Sequence, residues 1–392
     1  MLFMDIKQED TLRLLISVGD PSGDLYAAHI IKAIKNHPEC PKNLIIDAIG
    51  GPLMKKAGAT LLSQSTLFSS IGFIEPLFNL KGHLKIYKKA KQYLEERRPN
   101  LVLAIDHQGF NMKLIKEANT LNIPCDYFIC PQEWQWGSQK KGEVIAKQVE
   151  TLFCIFPQED TFYKACGGNT LFVGHPIFET LCPINPDAKK DTLLILPGSR
   201  KQEIKHLKGL FSKSISTLYK DHPNLNYVCS ISSPEFETPL KQAFRGLPIT
   251  YIKGSPSEEL LSKTVAALAC SGTVTLSLAL LGIPSVVAYK FHPLSYFIGK
   301  VILAKKLKQI PYIALPNYLL KRPMFEEFIQ SKAKVHHIAS ALKRALNLRD
   351  THNTACQFSQ NQAELTQLLK NKSAAKRVAL ALIKKLKTSI KD

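Results

Sequence analysis

Residues 12–18 (LRLLISV) run into Gly19-Asp20-Pro21-Ser22-Gly23-Asp24, and residues 265–269 (VAALA) run into Cys270-Ser271-Gly272-Thr273 ahead of a second apolar run at 276–281. Each stretch is an apolar strand, a turn of small residues and a helix start. The first N–H groups of a helix have no intrahelical acceptor, so such a turn is a ready site for phosphate or another anion. Two of them, one in each half, predict a cleft enzyme that grips a phosphorylated substrate between two α/β domains.

Around these stretches the rhythm of the chain is regular. Strands are expected at 12–18, 44–49, 101–105, 126–129, 152–156 and 171–173, with helices at 24–36, 84–97, 112–121 and 159–165 between them. Residues 181–190 (LCPINPDAKK) form a linker, and the pattern restarts. Strands follow at 192–196, 227–231, 249–252, 265–269 and 285–288, and helices at 202–219, 239–245, 258–261 and 274–281. Strands alternating with helices give a parallel sheet covered on both faces. The expected fold is α/β, with two Rossmann-like domains facing across a cleft, spanning 1–183 and 184–392. Residues 334–391 read as helices only and are assigned as a tail of the second domain.

Composition narrows the partners. The 392 residues are 45% hydrophobic and 21% charged, as in folded soluble proteins. The net charge of +20 attracts an anion: nucleic acid, an acidic membrane face or a phosphorylated ligand. No aromatic-and-basic RNA motif, zinc module or compact basic helix supports nucleic acid. The nine cysteines contain no C-x-x-C pair and read as buried thiols of a reducing compartment, which argues against zinc. No export signal is visible at the N-terminus. Residues 264–289 are uncharged and long enough to span a bilayer, but Ser271-Gly272-Thr273 and Gly282-Ile283-Pro284 divide them into strand, helix and strand.

Several motifs carry chemistry. Leu196-Pro197-Gly198-Ser199-Arg200 follows the first strand of the second half, where the planar fork of Arg200 can hold a diphosphate; a solvated turn arginine is the competing reading. Ile105-Asp106-His107-Gln108-Gly109-Phe110-Asn111 ends a strand. There Asp106 is either a general base for a sugar hydroxyl or a helix N-cap. Trp134 and Trp136 offer a stacking face or a core anchor, and His175 in Gly174-His175-Pro176 a substrate contact or a structural histidine. Residues 67–80 (LFSSIGFIEPLFNL) precede Lys81, Lys85, Lys88, Lys89 and Lys91, a pattern suited to peripheral docking on an anionic bilayer or to a buried helix with a solvated lysine face.

Taken in order, these residues resemble the lipid-A-disaccharide synthase family, inverting glycosyltransferases of the two-Rossmann (GT-B) type. Gly19–Asp24 matches the family's GEASGD-like opening, Asp106–Asn111 its IDxPxFN-like strand end and Cys130–Trp136 its SPSxWAW-like segment. The GHP, LPGSRxxE, SGTxxLE, LPN and ELLQ-like segments follow at Gly174–Pro176, Leu196–Glu203, Ser271–Ser277, Leu315–Asn317 and Glu327–Gln330. Asp20 replaces the usual Glu, Pro21 stiffens that turn, and Ser277 stands where the family has a Glu that holds ribose hydroxyls in related enzymes, a place Glu327 could fill.

The resemblance implies a reaction. A UDP-2,3-diacylglucosamine donor meets a 2,3-diacylglucosamine-1-phosphate acceptor and gives the β-1′,6-linked disaccharide 1-phosphate and UDP. It assigns Asp106 as the base, Arg200 with Ser271, Gly272 and Thr273 to the diphosphate, Ser22, Gly23 and Asp24 to the other wall of the cleft, and Asn317, Glu327 and Gln330 to the nucleotide. It implies no cofactor and no metal, in keeping with the lack of an Asp-x-Asp motif. It also implies a cytoplasmic enzyme attached peripherally to an anionic inner-membrane surface in a Gram-negative-type cell. Another UDP-sugar enzyme of the same fold, an N-acetylglucosaminyltransferase or an epimerase, and a non-catalytic nucleotide- or lipid-binding relative remain as alternatives. Whether the tail packs in cis or is exchanged within a homodimer is left open.

Overall fold

An inner strand of the first sheet, β1 (Leu12–Ser17), buries Leu14, Leu15 and Ile16 completely, because helices cover both faces of a parallel sheet. In the computed structural model, which describes residues 11–64, 80–135, 137–291, 312–348, 352–370 and 373–388, β1 belongs to a seven-stranded sheet. Its other strands are β2 (Leu44–Gly50), β3 (Thr60–Gln64), β4 (Leu101–Ile105), β5 (Cys125–Phe128), β6 (Thr151–Cys154) and β7 (Thr170–Phe172), in the order β3-β2-β1-β4-β5-β6-β7. Every pairing is parallel. The crossover helices are α1 (Pro21–Lys35), α2 (Pro52–Lys56), α3 (Leu80–Arg97), α4 (Gln108–Thr120), α5 (Gln139–Gln148) and α6 (Pro157–Ala165).

A second parallel sheet, order β10-β9-β8-β11-β12-β13, comprises β8 (Thr192–Leu196), β9 (Asn226–Ile231), β10 (Ile249–Lys253), β11 (Thr264–Cys270), β12 (Ser285–Tyr289) and β13 (Glu326–Ile329). Its helices are α7 (Lys201–Tyr219), α8 (Glu237–Ala243), α9 (Glu258–Lys263), α10 (Thr273–Leu280), α11 (Leu315–Leu320), α12 (Val335–Leu346) and α13 (His352–Leu369). In α7 the buried Ile204, Leu207, Phe211, Ile215 and Leu218 recur at three- and four-residue steps, one apolar stripe on the sheet. Each fully buried side chain of this kind contributes roughly 1.5–3 kcal/mol. Residues 264–289 form β11, α10 and β12, and no described helix is long and apolar enough to cross a membrane.

The chain divides into two compact units, Met1–Glu179 with Leu369–Asp392 and Thr180–Leu368. The tail assignment is therefore corrected. Its last helix, α14 (Ala374–Thr388), joins the first unit, where it packs on α1. Val378, Ala379, Leu382, Ile383 and Leu386 form its buried stripe, and Lys385 donates to the buried carboxylate of Asp126 on β5 and to Glu150. Glu179 accepts from the backbone N–H of Ala375 and the hydroxyl of Ser373 at the start of α14, at 2.8 Å each. The helix thus packs on the unit that begins the chain.

Candidate active site

In each sheet the chain leaves the middle strand in one direction, returns, and continues in the other. The reversal falls between β1 and β4 in the first unit and between β8 and β11 in the second. Crossovers diverge there, so the carboxyl ends of the two neighbouring strands open into a crevice, where ligands of such sheets bind. The segments after those four strands are residues 18–24, 106–111, 197–203 and 270–273, the four stretches that carry most of the expected site residues.

In the first unit, Asp20 caps α1, its Oδ1 accepting from the Gly23 N–H at 2.7 Å. Ser22 and Gly23 lie in the first turn of α1. Asp24 points the other way. It is buried, and its carboxylate accepts from the backbone N–H groups of Gly51, Leu53 and Met54 at 3.0–3.1 Å, closing the start of α2. It organises the loop after β2.

Asp106 is exposed at the end of β4 and is not the N-cap of α4; His107 takes that position without a side-chain cap bond. Asp106 and His107 both have left-handed backbones, φ 48° and 49°. The His107 ring lies so close to Gly19 that a Cβ there would come within 2.1 Å of it, which requires glycine at position 19. Burial first, and then the negative charges of Asp20, Glu179 and Asp106, push the Tyr26 phenol up to about 12. The carboxylates of the two loops are thus within electrostatic reach of one hydroxyl on α1.

In the second unit, Gly198 (φ 117°) makes the turn after β8, and a Cβ there would meet Glu203 Oε2 at 2.5 Å. Glu203 is buried. Its Oε2 accepts from the N–H groups of Ser199 and Arg200, and its Oε1 from Arg200 Nη1 at 2.7 Å. Burial opposes the Arg200 charge, but Glu203, aided by Tyr289 and Cys270, holds the guanidinium above its ordinary value. Arg200 therefore stands within reach of the ends of β11 and β12. Next to it, Ser271, extended Gly272 and Thr273 lead into α10, whose first N–H groups face the same edge.

Three residues expected at the nucleotide make hydrogen bonds to the protein's own backbone. Asn317 is fully buried; its amide donates to Phe325 O, and its Oδ1 accepts from the N–H groups of Met324 and Phe325. Both oxygens of Glu327 accept from Ile313 N–H, and one also from Ala314 N–H, so Glu327 fastens the segment that leads into α11. Gln330, with a left-handed backbone (φ 52°), donates to Phe291 O at 3.5 Å. Each fastens a loop at the same sheet edge; Ser271 Oγ also reaches Ile313 O at 3.5 Å.

One group of side chains that could share an ion occurs among the described residues: Cys130, Cys154 and Glu159, all buried, with ligand atoms within 4.8 Å of one another. Glu159 already accepts from the N–H groups of Cys130, Ile155 and Phe156, so it ties the loops after β5 and β6 together. Burial pushes its carboxyl up to about 8 against those donors.

The family model described as lipid-A-disaccharide synthetase matches residues 14–383. The chain belongs to the lipid-A-disaccharide synthase family. It is 33% identical to the lipid-A-disaccharide synthase of Nitrosococcus oceani over 347 residues (85% of this chain, 86% of that protein). It is 32% identical to that of Neisseria meningitidis serogroup B (84% and 87%) and 30% to that of Gloeothece citriformis (90% and 96%). Among solved structures, UDP-GlcNAc 2-epimerase from Neisseria meningitidis bound to UDP-GlcNAc aligns with a TM-score of 0.63 at 12% identity, covering 95% of this chain and 100% of that one. UDP-N-acetylglucosamine 2-epimerase from Rickettsia bellii aligns at 0.60 and 13%, covering 97% and 98%. These likenesses establish the fold: two Rossmann-like units of the GT-B type.

Within this lipid-A-disaccharide synthase family member, sequence reading alone missed Asn111 and Tyr127, which bind the backbone of Asp106. Asn111 closes the Asp106–Asn111 motif, but nothing in the sequence shows which backbone groups it serves. Trp134 packs half-buried against the core and Phe156, while Trp136 and residues 67–79 of the apolar 67–80 stretch lie outside the described residues.

His175 is buried, with its ring 5.2 Å from that of Phe156 and Nδ1 accepting from Ile177 N–H; desolvation lowers its pKa to about 3. It is a neutral structural histidine. The unfolded chain binds a proton at His175 near the ordinary histidine pKa, and the folded chain does not until about pH 3. This group therefore contributes stability above the unfolded pKa that is lost as pH falls toward 3, up to about 4 kcal/mol. His175→Asn keeps an acceptor for Ile177. Urea titrations should show a shallower loss of stability in the variant than in the parent between about pH 7 and pH 4; parallel curves would refute a neutral buried imidazole.

Proposed function

We propose that this chain performs the reaction for which its family is named, joining the sugar of UDP-2,3-diacylglucosamine to 2,3-diacylglucosamine-1-phosphate. The observation that carries the reading is the family match across residues 14–383, with four of the eight matched motifs falling at the two crossover reversals. Asp106 accepts the proton of the acceptor 6-hydroxyl as that oxygen bonds to the donor anomeric carbon. The bond from that carbon to the diphosphate breaks on the opposite face, which inverts the configuration. UDP departs with its developing charge held by Arg200 and by the N–H groups at the start of α10. Glu203 keeps Arg200 in place, and Asp24, Asn317 and Glu327 keep the surrounding loops in place. A guanidinium and a helix start supply the positive charge that the diphosphate needs, so the reaction runs without a divalent ion.

The test is turnover of purified protein in detergent with both acylated substrates and EDTA, read by mass spectrometry. The expected products are a tetraacyl disaccharide 1-phosphate and UDP. Asp106→Ala should lower kcat by about 10²–10⁴-fold and Arg200→Ala by about 10²-fold or more. Near-parental turnover by Asp106→Ala would remove Asp106 from the chemistry. Epimerised UDP-sugar in place of disaccharide would assign a different reaction.

Acylated substrates reside at a membrane surface, and the chain carries the charge to reach it. The net charge is +20, and Lys85, Lys88, Lys89 and Lys91 are exposed along α3 beside Leu84, whose surface is 48% exposed. The reading is peripheral attachment to the anionic cytoplasmic face of the inner membrane. Attraction of this kind is screened by salt. Protein sedimenting with vesicles of anionic lipid at low ionic strength should be largely released at about 1 M salt. Equal binding to vesicles of purely zwitterionic lipid would contradict an electrostatic attachment.

A further inference from the structure

We propose that Asn111 and the Tyr127 hydroxyl are positioning residues that hold Asp106 in its catalytic pose; the proposal rests on reading Asp106 as the base. Asp106 and His107 are consecutive left-handed residues, and neither is glycine. Side chains with a Cβ avoid that conformation, so a pair of them persists only where surrounding bonds enforce it. Here the bonds converge on one carbonyl. Asn111 Nδ2 donates to Asp106 O at 2.7 Å, and the Tyr127 hydroxyl donates to the same oxygen at 2.6 Å.

Asn111 also ties the two strands that flank the reversal. Its Nδ2 reaches Ile105 O at 3.1 Å, at the end of β4, and Ser17 O at 3.4 Å, at the end of β1. Its Oδ1 accepts the Ser17 hydroxyl at 2.7 Å. Ser17, Asn111 and Tyr127 are all fully buried, whereas Asp106 is exposed. A rigid polar layer thus sits beneath a solvent-facing carboxylate. The left-handed turn takes Asp106 out of the alternation of the strand and re-aims its side chain. A general base must be held close to its productive geometry, and a small misplacement is costly in rate. Residues of this kind should govern kcat more than KM.

The test is a double-mutant cycle. Tyr127→Phe keeps the buried ring and removes only the donor; Asn111→Ser removes the amide. Each is made alone and with Asp106→Ala, and each is assayed for kcat, for KM of both substrates and for thermal unfolding. Alone, Tyr127→Phe should lower kcat about tenfold and Asn111→Ser by more, with KM within about twofold. In the Asp106→Ala background neither should lower the residual rate further, since the group they position is gone. Kcat within about twofold of the parent for both variants, beside an inactive Asp106→Ala, would overturn the positioning role and leave the base intact. The same fold-loss with and without Asp106 would overturn it too, by showing a general structural effect. Near-parental activity of Asp106→Ala would instead overturn the base reading. The cycle runs on two variants at different sites, so a folding defect in one leaves the other to decide.

Discussion

The structure depends on the reversal of crossover direction at the centre of each parallel sheet. β1 and β4 in the first unit, and β8 and β11 in the second, are neighbours whose following segments diverge. That divergence exposes strand ends and helix starts together, which a sheet wound in one direction would cover. In the first unit an exposed carboxylate then stands at such an edge beside the start of a helix, and in the second unit a guanidinium does, each without any long excursion of the chain. The apolar strands around them supply the rigidity: β4 and β8 are buried at every residue.

Much of the polar chemistry near these edges acts on the protein's own backbone. Asp24, Glu203, Glu327, Asn317 and Asn111 each satisfy several backbone groups of neighbouring loops. Buried loop N–H and C=O groups must find partners, and a carboxylate or amide that serves several also fixes the loop. Such residues hold the loops at these strand ends in place. Arg200 has both characters, because its backbone N–H and its guanidinium bind opposite oxygens of Glu203 while the guanidinium stays half-exposed.

Sequence reading reached the fold because the central strands are continuous apolar runs bounded by small-residue turns; β4 and β8 were located residue for residue. It missed β3 and β13, short edge strands whose residues are mostly half-exposed and whose composition, TLLSQ and EEFI, gives little apolar signal. It placed α14 in the second domain because the amphipathic stripe of α14 shows that the helix packs, without showing on what. The same limit applies to the site. The residue types and loop context of Asp24 and Asn317 do not show that their side chains bind the backbone of neighbouring loops. Asp106 was legible as a strand-end carboxylate, but its left-handed backbone and the buried layer under it were not.

Hydrogen exchange measured by mass spectrometry, with and without UDP, tests the central claim most directly. The claim is that the reversal between β8 and β11 is the nucleotide site. UDP should slow exchange in peptides covering residues 198–204 and 271–276, with little change at the opposite edge of that sheet around residues 284–286 and 341–348. Protection confined to that opposite edge, where Pro284, Ser285 and Arg344 line a cavity of about 410 Å³, would contradict it.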